Sequence, residues 1–252
     1  MIHIRLAAPT DVPQCHRLDR IVWGEEAAAL SKTLLARIAA YPFGNLVAVD
    51  CESQSVVGSI WTVAGDERPI RTWWEASGEG RYLGVCNPFG EHLVGVSISV
   101  HPTWLARGLT ASLVERAGEI AFAAGKQSFS FCPPIADFHR WRQVFAVDDY
   151  VRIWRLDERL FFLAEDGSNA AHFWELARGA LSSHTNPREW PRLDDEMPAQ
   201  ARPLDSTVAR MTAARIGGRR GHVGRPVPGY FKDANSGDFG VQVSWRAPAA
   251  AL

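Results

Sequence analysis

Residues 94–125 read VGVSISVHPTWLARGLTASLVERAGEIAFAAG. Val94, Val96, Ile98 and Val100 alternate with Gly95, Ser97 and Ser99, which is the period of a strand. Pro102 closes it, and Arg107-Gly108 opens a helix over 107–124 with Leu109, Leu113, Ala117, Ile120 and Ala121 on one face and Gly125 as its stop. The first amides of a helix have no acceptor within it and sit at the positive end of its dipole. A strand, a short loop and such a helix start therefore form a place for an anion, above all a diphosphate. Gly108 lets the backbone come close to it.

Outward from this stretch the chain alternates strands and helices. Ile2, Ile4 and Leu6 mark a first strand, and Pro9-Thr10-Asp11 starts a helix carrying Val12, Cys15, Leu18, Ile21 and Val22. A second helix is expected over 25–41, with the stripe Leu30, Leu34, Ile38 and Tyr41 and a stop at Pro42. Strands follow at Leu46–Val49 and Val56–Thr62, then a long aperiodic stretch over 65–92. Ser128–Cys132 is a further strand ended by Pro133-Pro134. Helices are expected over 169–182 and 205–216, and strands at His222–Val227 and Phe239–Trp245. This order makes an α/β or α+β fold with a mixed sheet.

The formal net charge of −1 gives no general attraction to nucleic acid, and the basic run Arg215 to Arg220 reads as a solvated helix end. The four cysteines, Cys15, Cys51, Cys86 and Cys132, show no metal-ligand spacing, so neither a metal nor a disulfide framework is expected. No leader segment and no apolar run of membrane length is read in the sequence, so a cytoplasmic protein is expected. Of the ten tryptophans, Trp73, Trp74, Trp104, Trp141, Trp154, Trp174 and Trp190 fall in or beside irregular segments, where they pin loops or line a pocket.

HPTWLARGLTASLVERA resembles the acetyl-CoA-binding motif of the Gcn5-related N-acetyltransferases, the GNAT superfamily, in which (Gln/Arg)-x-x-Gly-x-(Gly/Ala) opens a helix. Gly108 matches the central glycine, while Leu105 and Thr110 depart from the pattern. IRLAAPTDVPQC, LARIAAYPFGNLVAV, TWWEASGEG, NPFGEHLVGVSISVHP and PGYFKDANSGDFGVQVSW are similar to the GNAT branch fused to carbon–nitrogen hydrolases, and in part to the GNAT-like domains of polyketide loading modules. Where the hydrolase-fused relatives have a Thr-His pair, this chain has Val85 and Cys86.

The resemblance implies one GNAT domain over 1–252, with an insertion at about 155–203. It implies a mostly antiparallel sheet of about seven strands flanked by helices, with the fourth and fifth strands splayed. Acetyl-CoA or another acyl-CoA would bind there, its pantetheine on Ile98, Ser99 and Val100 and its diphosphate on Ala106, Arg107, Gly108, Leu109, Thr110 and Ala111. The implied activity is acyl transfer to a small-molecule amine. Alternatives are decarboxylation or S-acyl transfer on a carrier-bound substrate, and a CoA-binding sensor without activity. Candidate catalytic residues are His92 and Glu91 at the start of the fourth strand, Thr62 at the end of the third, Tyr150 as general acid, and His139. Period two puts His92 on the face of Val94, Val96, Ile98 and Val100. Cys132 is weighed as an acyl-enzyme nucleophile against a buried structural thiol. The insertion is expected to cap or extend the acceptor cleft, or to form a homodimer contact.

Overall fold

A computed structural model describes residues 1–66, 72–82, 84–163, 171–175, 181, 185–193, 197–233 and 235–248. The chain divides into two compact units. The first comprises residues 1–132, 213–222 and 243–252, and the second 133–212 and 223–242.

The strands are β1 (Ile2–Leu6), β2 (Leu46–Asp50), β3 (Val56–Gly65), β4 (His92–Val100), β5 (Ser128–Phe131), β6 (Ile153–Leu156), β7 (Arg159–Leu163), β8 (Ala171–Glu175), β9 (Arg202–Pro203), β10 (Arg215–Ile216), β11 (Arg219–Arg220), β12 (His222–Val227) and β13 (Gly240–Arg246). The helices are α1 (Val12–Ala27), α2 (Ser31–Ala40), α3 (Trp73–Ala76), α4 (Leu109–Ala123), α5 (Phe138–Trp141), α6 (Val147–Tyr150) and α7 (Ser206–Thr212). A seven-stranded sheet has the order β1-β2-β3-β4-β5-β13-β12. The ladders β1–β2, β2–β3, β3–β4 and β5–β13 are antiparallel, and β4–β5 is parallel. A parallel pair needs a long crossover, and α4 supplies it.

In the first unit β3 is buried along its whole length, as a central strand covered on both faces must be. On one face lie α1 and α2, where Val12, Cys15, Leu18, Leu34 and Ile38 close on Val47, Val49 and Trp61. Each such large side chain taken out of water contributes roughly 2 kcal/mol. On the other face lies α4. A Cβ at Gly58 would stand 3.0 Å from Leu113 Cδ1 and 3.2 Å from Leu109 Cδ2, so a glycine in β3 admits the helix closely.

The register of β3 against β4 corrects the expected phase. Trp61 pairs with Ser97 and Thr62 with Gly95, so Val96 is an extra residue, a bulge in β4. Paired residues share a face. Leu93, Gly95, Ile98 and Val100 therefore stand with Ala64, Thr62, Ile60 and Gly58 on the α4 face. His92, Val94, Ser97 and Ser99 stand with Gly65, Val63, Trp61 and Ser59 on the α1/α2 face. His92 thus lies opposite Ile98 and Val100, not beside them.

Other boundaries also shift. α1 runs on to Ala27 through a break at Gly24, and the second helix begins only at Ser31. α7 ends at Thr212, and the Arg215–Arg220 run is a two-stranded hairpin, β10–β11, rather than a helix end. Thr62 lies within β3, which continues to Gly65.

In the second unit β6, β7, β8 and β9 form a four-stranded sheet of order β8-β7-β6-β9. Residues 171–175, expected to be helical, are the strand β8, paired with β7 from Leu163↔Ala171 to Arg159↔Glu175. The other residues of that expected helix, save 181, lie outside the described ones. A core of Trp154, Phe161 and Ala201, with Phe173, Leu193 and Met197 against it, holds this sheet.

Candidate functional site

β4 and β5 pair only over His92–Gly95 and Ser128–Phe131. β4 then continues for five residues, Val96–Val100, that have no partner on β5. An unpaired strand edge presents alternate N–H and C=O groups to whatever lies beside it. Two features set the point of separation. A Cβ at Gly95 would fall 1.9 Å from the Phe131 ring, so Phe131 lies over the glycine as the last pair closes. The next residue, Val96, is the bulge, and its carbonyl accepts the indole N–H of Trp73 at 2.7 Å.

After β4, a 3-10 turn over Pro102–Arg107 leads to Gly108. Gly108 has φ +75° and a Cβ there would meet nothing within 4 Å, so its left-handed backbone rather than crowding calls for glycine. The first α-helical bond of α4 is Ser112 N–H to Gly108 O at 3.1 Å, so the amides of Leu109, Thr110 and Ala111 precede the helical ladder. Ala106, Arg107 and Gly108 are exposed, and the Arg107 guanidinium rests over the Trp104 ring, 4.4 Å from its centroid. Leu109 and Thr110 are buried, so the branched Thr110 is absorbed by the helix packing.

The α1/α2 face of β4 carries a polar cluster that the sequence reading missed. Ser99 is fully buried, donates to Asp19 Oδ1 at 2.6 Å and accepts the Trp23 indole N–H at 2.8 Å. Burial pushes the Asp19 carboxyl up, and the Ser99 bond opposes that. Arg37, on α2, is 1% exposed. Its Nε donates to Gly80 O at 2.8 Å, its Nη1 is buried with no hydrogen-bond partner, and its guanidinium lies 5.9 Å from the Trp61 ring centroid and 5.8 Å from that of Tyr82. The signal was present: Arg37 follows Leu34 by three residues and precedes Tyr41 by four, on the apolar stripe of α2.

Within the first unit Thr62 and His92 stand at different places along the β3–β4 ladder. Thr62 is fully buried, and its hydroxyl donates to Gly44 O at 2.7 Å. It pairs with Gly95, whereas His92 pairs with Gly65. His92 Nδ1 lies 2.7 Å from Ser128 Oγ at the closed end of the β4–β5 ladder, and Glu91 is exposed, its carbonyl accepting Gln127 N–H. Tyr150 and His139 lie in the second unit. Tyr150 is buried on α6 and donates to Asp205 Oδ2 at 3.3 Å. Burial first, and then Asp205, raises its pKa, which keeps it protonated. His139 is exposed on α5, with Nδ1 3.0 Å from Ala136 O. Cys132 is buried, and burial alone raises its thiol far above the range in which a thiolate forms. Among the described residues no group of histidine, cysteine or carboxylate side chains is placed to hold a metal, and no helix is long and apolar enough to cross a membrane.

No family model matches the chain, and no curated protein sequence matches it. Solved structures do. The GNAT-like decarboxylase GphF in complex with isobutyryl-CoA aligns over 97% of this chain and 98% of its own, at 17% identity and a TM-score of 0.61. The loading GNATL domain of CurA from Lyngbya majuscula aligns over 98% of both chains, at 13% identity and a TM-score of 0.64. The chain has the GNAT fold. Its splayed fourth and fifth strands and the helix starting at Gly108 are the GNAT elements that the sequence resemblance implied.

Proposed function

We propose that this chain binds an acyl-CoA in its first unit and acts as an acyltransferase on the thioester. The observation that carries the reading is the coincidence of two openings on consecutive elements. The edge of β4 that β5 leaves unpaired at Val96–Val100 is followed within one short turn by a glycine-led helix start whose first amides precede the helical ladder. The edge offers backbone bonds to the pantetheine amides at Ile98, Ser99 and Val100. Ala106, Arg107, Gly108, Leu109, Thr110 and Ala111 receive the diphosphate, with the dipole of α4 favouring its charge. The thioester then lies near the bulge at Val96. An acceptor amine attacks its carbonyl carbon, the C–S bond breaks, and the CoA thiolate leaves with the proton shed by the amine. His92 stands four residues before Val96, roughly 13 Å along a strand. It therefore sits too far back to take that proton directly, and we leave it a positioning role with Ser128. Calorimetry with CoA, acetyl-CoA and malonyl-CoA tests the reading, and no heat with any of the three defeats it.

A second reading has its own support. Two structural neighbours that align end to end are a GNAT-like decarboxylase in complex with isobutyryl-CoA and a loading GNATL domain, and their alignments include the second unit as well as the first. In this reading malonyl-CoA loses carbon dioxide, the resulting carbanion takes up a proton to give acetyl-CoA, and a carrier-protein thiol then attacks the thioester carbonyl, its C–S bond to CoA breaking so that CoA leaves as the thiol. Carbon dioxide release from malonyl-CoA without any amine distinguishes it from amine acylation, which releases free thiol only when an amine is present.

A further inference from the structure

The geometry points to Arg37 as a carboxylate-binding residue that selects a substrate bearing a carboxylate close to its reacting carbon. The inference rests on the acyl-CoA reading for where the reacting carbon lies, near Val96. It rests on Arg37 itself for the chemistry.

A guanidinium is charged at all working pH and carries five donors in a planar fork. Buried, it needs acceptors for those donors, and a buried charged donor left unmet is among the more destabilising features a fold retains. Among the described residues the Arg37 side chain makes one hydrogen bond, Nε to Gly80 O, and Nη1 makes none. Among the described residues no carboxylate forms an ion pair with it. Asp19 is near enough to interact through space, but its own bond is to Ser99. Trp61 and Tyr82 also present their rings to it. A structural role for the charge would be served by a partner on the chain. A guanidinium flanked by two aromatic rings, with Nη1 unmet, suits a planar anion such as a carboxylate, which accepts parallel N–H bonds.

Position supports the same assignment. Trp61 pairs with Ser97, the residue after the bulge, so the Arg37–Trp61 stack lies on the α1/α2 face beside Val96. Trp73 lies near both, with Gly80 between it and Arg37. Its Nε1 holds Val96 O, while a Cβ at Gly80 would stand 3.4 Å from its Cη2 and 3.9 Å from Arg37 Nη2. The cover over Arg37 is the segment Gly78–Tyr82, whose residues Gly78, Glu79, Gly80 and Tyr82 all have positive φ. Glu79 and Tyr82 adopt there a conformation that side chains disfavour, so the segment is held by its surroundings rather than by local preference. A carboxylate reaching Nη1 must displace part of this cover. The carboxylate belongs either to the acyl group, as in malonyl-CoA, or to the acceptor, as in an α-amino acid.

The test uses the full chain and Arg37→Met, which keeps length and apolar bulk, with Arg37→Lys as a second variant that keeps the charge without the fork. Calorimetry measures CoA, acetyl-CoA, malonyl-CoA and free malonate, and amino acids against the matching amines in the presence of CoA. The expected result is a carboxylate preference of roughly tenfold or more in one arm, lost in Arg37→Met and weakened in Arg37→Lys, while the affinity for CoA itself is unchanged. Preference for malonyl-CoA over acetyl-CoA assigns the carboxylate to the acyl group, and preference for amino acids over amines assigns it to the acceptor. If CoA fails to bind yet malonate binds only when Arg37 is present, the acyl-CoA reading falls and the carboxylate assignment stands. A carboxylate preference in no arm, or one that survives in Arg37→Met, overturns the assignment.

Discussion

The indole N–H of Trp73 donates to the carbonyl of Val96, at the one residue where β4 bulges against β3. A bulge takes a residue out of the ladder and leaves its groups to be met by something else. Here a side chain from α3 meets one of them. Trp73→Phe keeps most of the ring and removes the donor. It is expected to lower stability by about 1 to 2 kcal/mol, the cost of an unmet buried carbonyl. It should also weaken acyl-CoA binding several-fold while CoA without an acyl group is less affected. Urea unfolding and calorimetry check the two parts separately.

Gly108 calls for a different outcome. Its φ of +75° makes a side chain costly, but the space around it is open. Gly108→Ala should therefore cost only about 1 kcal/mol in thermal or urea unfolding. Its Cβ would stand where a diphosphate approaches the amides of α4, so CoA affinity should fall by roughly tenfold or more. A variant that loses stability without losing affinity would move the diphosphate elsewhere.

Gly95 reverses the balance. Its added Cβ would collide with the Phe131 ring at the last pair of the β4–β5 ladder. Gly95→Ala is expected to lose about 3 kcal/mol or to fail to fold, since overpacking of a closed core is not relieved by small shifts. The double variant Gly95→Ala with Phe131→Leu should recover part of that loss. Denaturation midpoints of the two single variants and the double one give the coupling.

Acid stability should depend on Asp11. Its carboxylate accepts both Arg5 Nη1 at 2.7 Å and Nη2 at 2.8 Å, and also the Ala8 amide at 2.8 Å. The Arg5 bond is the main cause that holds its pKa below the usual carboxylate value. A carboxyl whose pKa is lower folded than unfolded stabilises above the unfolded pKa, near 4, and that contribution fades as pH falls through the folded pKa. Arg5 is partly exposed, so the contribution is about 1 kcal/mol or less. Asp11→Asn should lose it at neutral pH and show a flatter decline of the unfolding midpoint between about pH 5 and 2.

Sequence periodicity located β1, β4 and α4, because each shows its period over a full segment. It could not locate the bulge. Val94, Val96, Ile98 and Val100 are all apolar and β4 is covered on both faces, so the alternation runs through residue 96 without a break. Only the pairing with β3 shows the change of face, and with it the true side of His92. The helix expected over 169–182 failed for a related reason. A stretch containing Phe173 and Trp174 suits either period, and pairing with β7 decides for the strand over 171–175. The glycine-led start of α4 was legible because it depends on one glycine and on backbone groups that any helix start supplies. Arg37 was not legible as a buried residue, since an arginine on a helix is normally a solvated one, and here the Trp61 and Tyr82 rings lie against it.

β5 gains its second neighbour only when Val243–Arg246 pair with Phe131–Ser128 and Trp245 stacks on Phe129 at 5.6 Å. More than a hundred residues separate those two segments along the chain. During synthesis, therefore, every earlier strand of the first unit has left the ribosome while β5 still shows an open, aromatic-rich side. Nascent chains halted before residue 243 are the ones a chaperone would be called on to shield.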